Sequence, residues 1–288
     1  MRIIIGDGKL SKAIRKSSDV VLCHKDIDVT AEPATIAKIL RVADERCYVR
    51  DGTVAVINTA AKINLEWCQE NTEQAWAVNA VGPLNVAKAC DILGFKFVQI
   101  SSGCIFDGEE TGTVYTEEST PSPASFYAVT KAAADVFIAN AQLDVPTLIL
   151  RPRQLISARP HPTNMLTKFV DVMQKSSESR FITSQNTVTC IEDFSLMIDH
   201  LLKVHATGVY NCANHGTISP YEIAVKLKEA LNLGKSPSPV DYDSYVKSIA
   251  VKRVNTILNV SKLRDTGYPN RSAEQAVDWC IRNYGKLG

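Results

Sequence analysis

The chain has 288 residues, with 32 Lys and Arg against 31 Asp and Glu, and 45 % of it is apolar. A net charge of +1 lacks the basic footprint of a nucleic-acid binder, and no apolar run approaches the roughly 20 residues of a membrane span. Residues 1–5 lead straight into a glycine turn without the layout of a secretory leader, so a cytoplasmic chain with neither nucleic acid nor membrane as partner is expected.

In chain order, Arg2–Ile5 reads as a strand ending at Gly6, and a helix follows from Lys9 to about Lys16. Val20–Cys23 is a second strand, and Thr35–Val42 a helix with Ile36, Ile39 and Leu40 on one side. Val54–Asn58 is a third strand, Thr72–Leu93 is helical, and Lys96–Ile100 is a fourth strand. Phe126–Ala141 and Thr147–Leu150 add a further helix and strand. Short β-rich runs alternating with helices predict an α/β chain built on a Rossmann-type doubly wound parallel sheet with right-handed crossovers. Beyond it, Asn164–Gln174 and Asp193–Val204 read as helices, Gly208–Cys212 as a strand and Ala273–Tyr284 as a last helix. Ser219–Leu231 is helical with a clear start, because Ser219 can cap it, Pro220 fits the first position and Glu222 completes a capping box. Lys235–Tyr242, with Pro237 and Pro239, reads as a loop. The expected organisation is a dinucleotide-binding domain over 1–155, with a return segment at about 185–212. A smaller substrate-binding lobe is expected from 156–184 and 213–288.

Gly6-Asp7-Gly8-Lys9-Leu10-Ser11 joins the first strand to the first helix. Its glycines let backbone approach a pyrophosphate at a helix N-terminus, where amides and the helix dipole favour negative charge. Ser11 replaces a third glycine, and a small residue can still fit there. The second strand ends in Cys23-His24-Lys25, where NAD sites often carry an acid for the ribose 2′-hydroxyl. Cations there suit a 2′-phosphate, which favours NADPH over NADH. Tyr127 and Lys131 lie four apart on one helix face, and a nearby ammonium favours the phenolate of a tyrosine that ordinarily titrates near ~10. Ser102 follows a strand and can bond the same substrate oxygen. The eight cysteines include no CxxC pair and the five histidines no HExxH, so no metal site is expected.

The order of these motifs, a glycine turn, Asn58-Thr59-Ala60-Ala61 after a strand, Ser101-Ser102 and then Tyr127-x-x-x-Lys131, resembles the extended short-chain dehydrogenase/reductase family over nearly the whole chain. The resemblance implies that Tyr127 is the general acid toward a carbonyl and that Lys131 holds the nicotinamide ribose. It places Asp28 and Val29 beside the adenine and makes Asn79 the structural asparagine of the helix behind the active site. The glycine motif is one residue shorter than the family's usual form. A narrower likeness, in Glu66-Trp67-Cys68, Gly103-Cys104-Ile105-Phe106, Ser125-Phe126-Tyr127 and Gly208-Val209-Tyr210-Asn211, is to the bifunctional 3,5-epimerase/4-reductases, which make UDP-L-rhamnose from UDP-4-keto-6-deoxy-D-glucose. The related dTDP-4-dehydrorhamnose reductases carry a tyrosine where this chain has Cys104.

Protons at C3 and C5 flank the C4 ketone, so inverting either centre needs a base on one face and an acid on the other. A thiol with an ordinary pKa near ~8.5 can serve as that base when a cation lies close. An extended backbone after Ser102 would point Ser102 and Cys104 to one face. The resemblance pairs Cys104 with Lys168, and it assigns Arg253 to the sugar-nucleotide diphosphate, a role that suits bidentate guanidinium geometry. With Gly103 completing the substrate turn, the expected activity is NADPH-dependent 3,5-epimerisation and 4-reduction of a UDP-sugar. A homodimer and a 4,6-dehydratase as pathway partner are implied by the resemblance. The alternatives are a reductase alone, which would show no proton exchange at C3 and C5, and a non-catalytic nucleotide-binding regulatory subunit.

Overall fold

The computed structural model describes residues 1–45, 54–108, 112–176 and 178–287. The chain packs as two compact units: Met1–Ile105, Pro121–Arg151 and Leu201–Tyr210 form the first, and Phe106–Thr120, Pro152–His200 and Asn211–Gly288 the second. These boundaries differ from the expected ones at 106–120, 152–155, 185–200 and 211–212, all of which belong to the second unit. Val114–Tyr115 pairs with Ile257–Leu258, which ties 106–120 to the second unit. Leu155–Ile156 pairs with Thr189–Cys190, which ties both stretches to the second unit, and the chain returns to the first unit only at Leu201–Tyr210.

The first unit is a six-stranded sheet. Its elements are β1 (Arg2–Ile5), α1 (Lys9–Ile14), β2 (Val20–Leu22), α2 (Glu32–Glu45), β3 (Ala55–Asn58), α3 (Gly82–Leu93), β4 (Lys96–Ile100), α4 (Phe126–Asn140), β5 (Thr147–Arg151) and β6 (Gly208–Asn211). The order across the sheet is β6-β5-β4-β3-β1-β2, and every register from β2 to β5 runs parallel. Ile3, Ile4, Ile5, Val56, Ile57, Phe97, Val98 and Leu150 are at most 1 % exposed. Burial on both faces is why these strands read as continuous apolar runs without alternation. One face of the core gathers Ile3, Ile5, Val56 and Phe97 of the strands with Ile39 of α2 and Val86 of α3.

The helical stretch expected over Thr72–Leu93 forms without interruption, as Thr72–Trp76, a π-helical turn at Ala77–Val81, and α3, with helical backbone at both junctions. A helix over Leu65–Glu70, absent from the sequence expectation, starts where the Asn64 side chain accepts from Trp67 N at 2.8 Å. It is too short for a periodic signal, and its cap was the only cue.

The second unit packs the helices Met165–Lys175, Pro220–Leu231 and Ala273–Arg282 around a core that includes Leu166, Phe181, Ile223, Leu227 and Val277. The capping box at Ser219 and Glu222 forms as the sequence predicts. The expected loop over Lys235–Tyr242 instead contains a strand, Ser238–Val240, parallel to Arg180–Ile182. Its ladder survives Pro239 because the donors come from elsewhere: Ser238 N donates to Ser179 O at 2.7 Å and Thr183 N to Val240 O at 3.1 Å. Among the described residues, no helix is long and apolar enough to cross a membrane.

Within this unit Gly108 has φ +62°, and a Cβ there would overlap the Asn255 carbonyl. Gly112 also has positive φ, at +90°, but its Cβ would enter open space. Gly108→Ala is expected to lose more than about 3 kcal/mol of stability and Gly112→Ala about 1 kcal/mol, read as shifts of the urea midpoint at constant slope.

Candidate active site

The glycine turn sits where the strand order reverses, between β1 and β3, the place at which open α/β sheets take their ligands. Gly6 has φ +106°, and a Cβ there would lie 2.6 Å from Thr59 Oγ1. Only glycine lets the β1 turn pass so close to the end of β3. Thr59 closes that junction by donating both its amide and its hydroxyl to Ile5 O, each at 2.8 Å. Gly8 is the N-cap of α1 and offers no capping side chain, and nothing lies within 4 Å of where its Cβ would be. The backbone of Gly8, Lys9 and Leu10 is therefore approachable at the helix start. Ser11 is 1 % exposed, so a small residue does fill the place of the third glycine.

After β2 the chain makes a tight turn in which Cys23 N donates to Asp26 Oδ2 at 2.9 Å, leaving His24 and Lys25 exposed. The Asp28 carboxylate accepts from Thr30 Oγ1 at 2.7 Å and Thr30 N at 3.0 Å, and these bonds hold it below the usual carboxylate range. Val29 is buried against the start of α3, where a Cβ on Gly82 would meet Val29 Cγ2 at 2.8 Å. Asn58 and Asn79 use their amides on the protein itself. Asn58 Nδ2 donates to Gln99 Oε1 at 2.9 Å, and Asn58 Oδ1 accepts from Ala60 N at 3.1 Å. This fixes the path of Thr59-Ala60-Ala61. Asn79, in the π-helical turn, donates to Lys62 O and Thr130 Oγ1 and accepts from Lys62 N. Both side chains thus position loops: Asn58 the Thr59-Ala60-Ala61 segment, and Asn79 the Lys62 backbone against Thr130, in keeping with the structural role that the resemblance gives Asn79.

Ser125 caps α4 by accepting from Ala128 N. Tyr127, Thr130, Lys131, Ala134, Asp135 and Ile138 form its buried stripe, at helical spacing. Lys131 is 1 % exposed and donates from Nζ to Ile100 O at 2.7 Å, at the end of β4. Burial pulls its ammonium down to about 8, and the nearby Asp135 carboxylate opposes that shift. Asp135 in turn is pushed up by burial, against which the Arg151 guanidinium acts, with Nε donating to Oδ2 at 3.0 Å. Arg151, left without a role by the sequence, is thus a buried counter-ion.

Ser102 is buried just beyond β4. The backbone that follows is not extended, as the sequence reading assumed: Gly103–Ile105 forms a 3₁₀ turn, and Cys104 N donates to Ser102 Oγ at 3.1 Å. The turn, not strand alternation, sets the path from Ser102 to Cys104 and ties the Cys104 amide to the Ser102 hydroxyl. Cys104 is half-buried and packs against the apolar cluster of Cys68, Ala75 and Tyr127. In the second unit, Lys168 is exposed on the helix Met165–Lys175. Arg253 is half-buried there, with Nη1 donating to Val251 O at 3.3 Å and its carbonyl accepting from Tyr242 Oη at 2.7 Å. Sequence reasoning missed Gln99 and Asp135. Asp135 lies one helical turn beyond Lys131, so the same spacing that joined Tyr127 to Lys131 could have found it.

The folded chain holds the Lys131 proton less tightly than the ordinary lysine value of 10.5, so unfolding takes up a proton between about pH 8 and that value. The penalty is full below pH 8 and is relieved as pH rises through this window. Relative to Lys131→Met, the wild-type chain is expected to gain up to about 3 kcal/mol between neutral pH and about pH 10, measured as the difference in denaturant midpoints.

A bifunctional dTDP-4-dehydrorhamnose 3,5-epimerase/dTDP-4-dehydrorhamnose reductase of Arabidopsis thaliana is 26 % identical over 212 residues, covering 72 % of this chain and 67 % of that protein. The chain spans only 30–33 % of the length of three trifunctional Arabidopsis thaliana relatives. The fold matches that of dTDP-4-dehydrorhamnose reductase from Bacillus anthracis in complex with NADP, with a TM-score of 0.83, 22 % identity and 100 % and 99 % of the two chains covered. It matches that of the UDP-rhamnose synthase of Acanthamoeba polyphaga mimivirus with a TM-score of 0.83, 18 % identity and 98 % and 99 % coverage. The family model described as the RmlD substrate binding domain matches residues 3–285, and the chain belongs to that family.

Proposed function

We propose that this chain is an NADPH-dependent reductase of nucleotide-linked 4-keto-6-deoxy sugars, and that it also epimerises C3 and C5 of UDP-4-keto-6-deoxy-D-glucose to give UDP-L-rhamnose. The observation that carries the reading is the convergence in one unit of Ser102, Cys104, Tyr127 and the buried Lys131 around the end of β4. The Bacillus anthracis reductase was solved with NADP, which supports the same cofactor here. The name of the Arabidopsis relative supports the pairing of epimerase with reductase, and the mimivirus enzyme supports a UDP-sugar.

The open approach to Gly8 fits a dinucleotide pyrophosphate. Gly6, Gly8, Lys9 and Leu10 would hold it, with His24 and Lys25 on the 2′-phosphate, Asp28 and Val29 beside the adenine, the Thr59-Ala60-Ala61 loop along the cofactor and Lys131 on the nicotinamide ribose. When bound, the dinucleotide supplies the hydride for C4. Cys104 acts as the base for the C3 and C5 protons and Lys168 as its paired acid. Ser102 and Tyr127 donate to O4 and so stabilise the enolate as its charge develops. Tyr127 then delivers the proton that completes reduction at O4. Arg253 binds the diphosphate of the substrate, and a 4,6-dehydratase supplies the 4-keto sugar.

Incubation with UDP-4-keto-6-deoxy-D-glucose and NADPH in D2O is expected to yield UDP-L-rhamnose with deuterium at both C3 and C5, followed by NMR. Cys104→Ser is expected to abolish that incorporation while still reducing sugar that is already epimerised. Tyr127→Phe should slow reduction by ~10²–10⁴-fold. A reduced sugar without deuterium would leave a reductase alone, and NADPH binding without turnover would point to a regulatory subunit.

A further inference from the structure

Among the described residues, the fold brings together Asp7, Cys23 and His24, with one potential ligand atom from each lying within 4.8 Å of the others. The sequence showed no metal motif because Asp7 and the Cys23-His24 pair lie on successive strand ends, and only the parallel pairing of β1 with β2 makes them neighbours. Asp7 stands in the glycine turn, fixed by the Gly6 N to Leu22 O bond of 2.8 Å. Cys23 and His24 stand in the turn after β2, fixed by the bond from Cys23 N to Asp26 Oδ2. All three donors are thus mounted on braced backbone at one edge of the sheet. Cys23 is half-buried, and Asp7 and His24 are exposed.

We propose that Asp7, Cys23 and His24 form a zinc site, and that zinc and the dinucleotide exclude one another there. The donor set is a carboxylate oxygen, a thiolate sulfur and an imidazole nitrogen, which suits borderline-soft Zn²⁺ and does not suit Mg²⁺ or Ca²⁺. Metal–ligand lengths of about 2.0–2.3 Å put tetrahedral ligands roughly 3.5 Å apart, so a side-chain adjustment of about 1 Å closes the site. Three protein ligands leave the fourth position to water. Coordination takes the proton from the Cys23 thiol, so affinity falls as pH falls. The Asp26 carboxylate, bonded to Cys23 N, adds negative charge close by, while Lys25 beside it opposes the cation. The mutual exclusion rests on the proposed dinucleotide reading, because the glycine turn and His24 are the groups that reading assigns to its phosphates. The zinc site itself does not.

The test titrates the purified chain with Co²⁺ and follows the thiolate-to-cobalt charge-transfer band, with Zn²⁺ as competitor and Mg²⁺ as control. The expected result is one equivalent of cobalt displaced by zinc and not by magnesium, with the band lost in Cys23→Ser and affinity at least tenfold weaker in His24→Ala and Asp7→Asn. A band that persists in Cys23→Ser but disappears in Cys280→Ser overturns the site, because a second, buried group of Cys190, Glu192 and Cys280 would then hold the metal. No band at all also overturns it. Saturating NADPH, its binding followed by fluorescence, is expected to weaken apparent zinc affinity at least tenfold. Unchanged zinc affinity with NADPH bound overturns the exclusion, whereas failure of NADPH to bind at all counts against the dinucleotide reading and leaves the cobalt result to decide the site.

Discussion

The bond from Lys131 Nζ to the carbonyl oxygen of Ile100 joins the helix that carries Tyr127 to the strand that leads into Ser102. An ammonium in that position is desolvated, and a buried charge of this kind persists only with compensating partners. Asp135, one turn further along the helix, supplies the opposite charge, and Arg151 at the end of the next strand balances Asp135 in turn. The chain of Ile100, Lys131, Asp135 and Arg151 therefore locks α4 to β4 and β5 through polar contacts inside an otherwise apolar core. The rotation of α4 about its axis is fixed by that lock, and with it the direction in which Tyr127 can act.

The same strand end is braced from its other side. Gln99 receives Asn58 Nδ2 at its Oε1 and donates from Nε2 to Ile100 O, the carbonyl that also receives Lys131. Asn58 then holds Ala60, and Thr59 grips the end of β1 beside Gly6. Asn79 adds a further tie between the Lys62 backbone and Thr130 of α4. A continuous set of buried and part-buried hydrogen bonds thus runs from the glycine turn to the Tyr127 helix. In a low-dielectric interior each such bond is strong and an unpaired partner is costly, so these loops are held rigidly where chemistry needs fixed positions.

The second unit follows a different logic. Its strands are short pairs, and its stability comes from helices closing on Leu166, Phe181, Ile223, Leu227 and Val277. Exposed Lys168 and half-buried Arg253 belong to this unit, whereas Ser102, Cys104, Tyr127 and Lys131 belong to the sheet.

The sequence by itself determined the parallel sheet and the alternation of its strands with helices, since runs such as Arg2–Ile5, Val54–Asn58 and Lys96–Ile100 are short, β-rich and separated by helical stretches. It also determined the glycine turn and the Tyr127–Lys131 pair, because both depend on spacing within one element. It could not show the Ser238–Val240 strand, where prolines mask pairing whose donors lie in Ser238 and Thr183. It missed the 3₁₀ turn at Cys104, because a three-residue turn leaves no period to read. Tertiary structure alone decided that Arg151 neutralises Asp135, that Asn58 and Asn79 bind the protein's own loops, and that Asp7 meets Cys23 and His24. Each of these joins residues from different elements, and such contacts are set by strand register and helix packing, which no local pattern in the chain encodes.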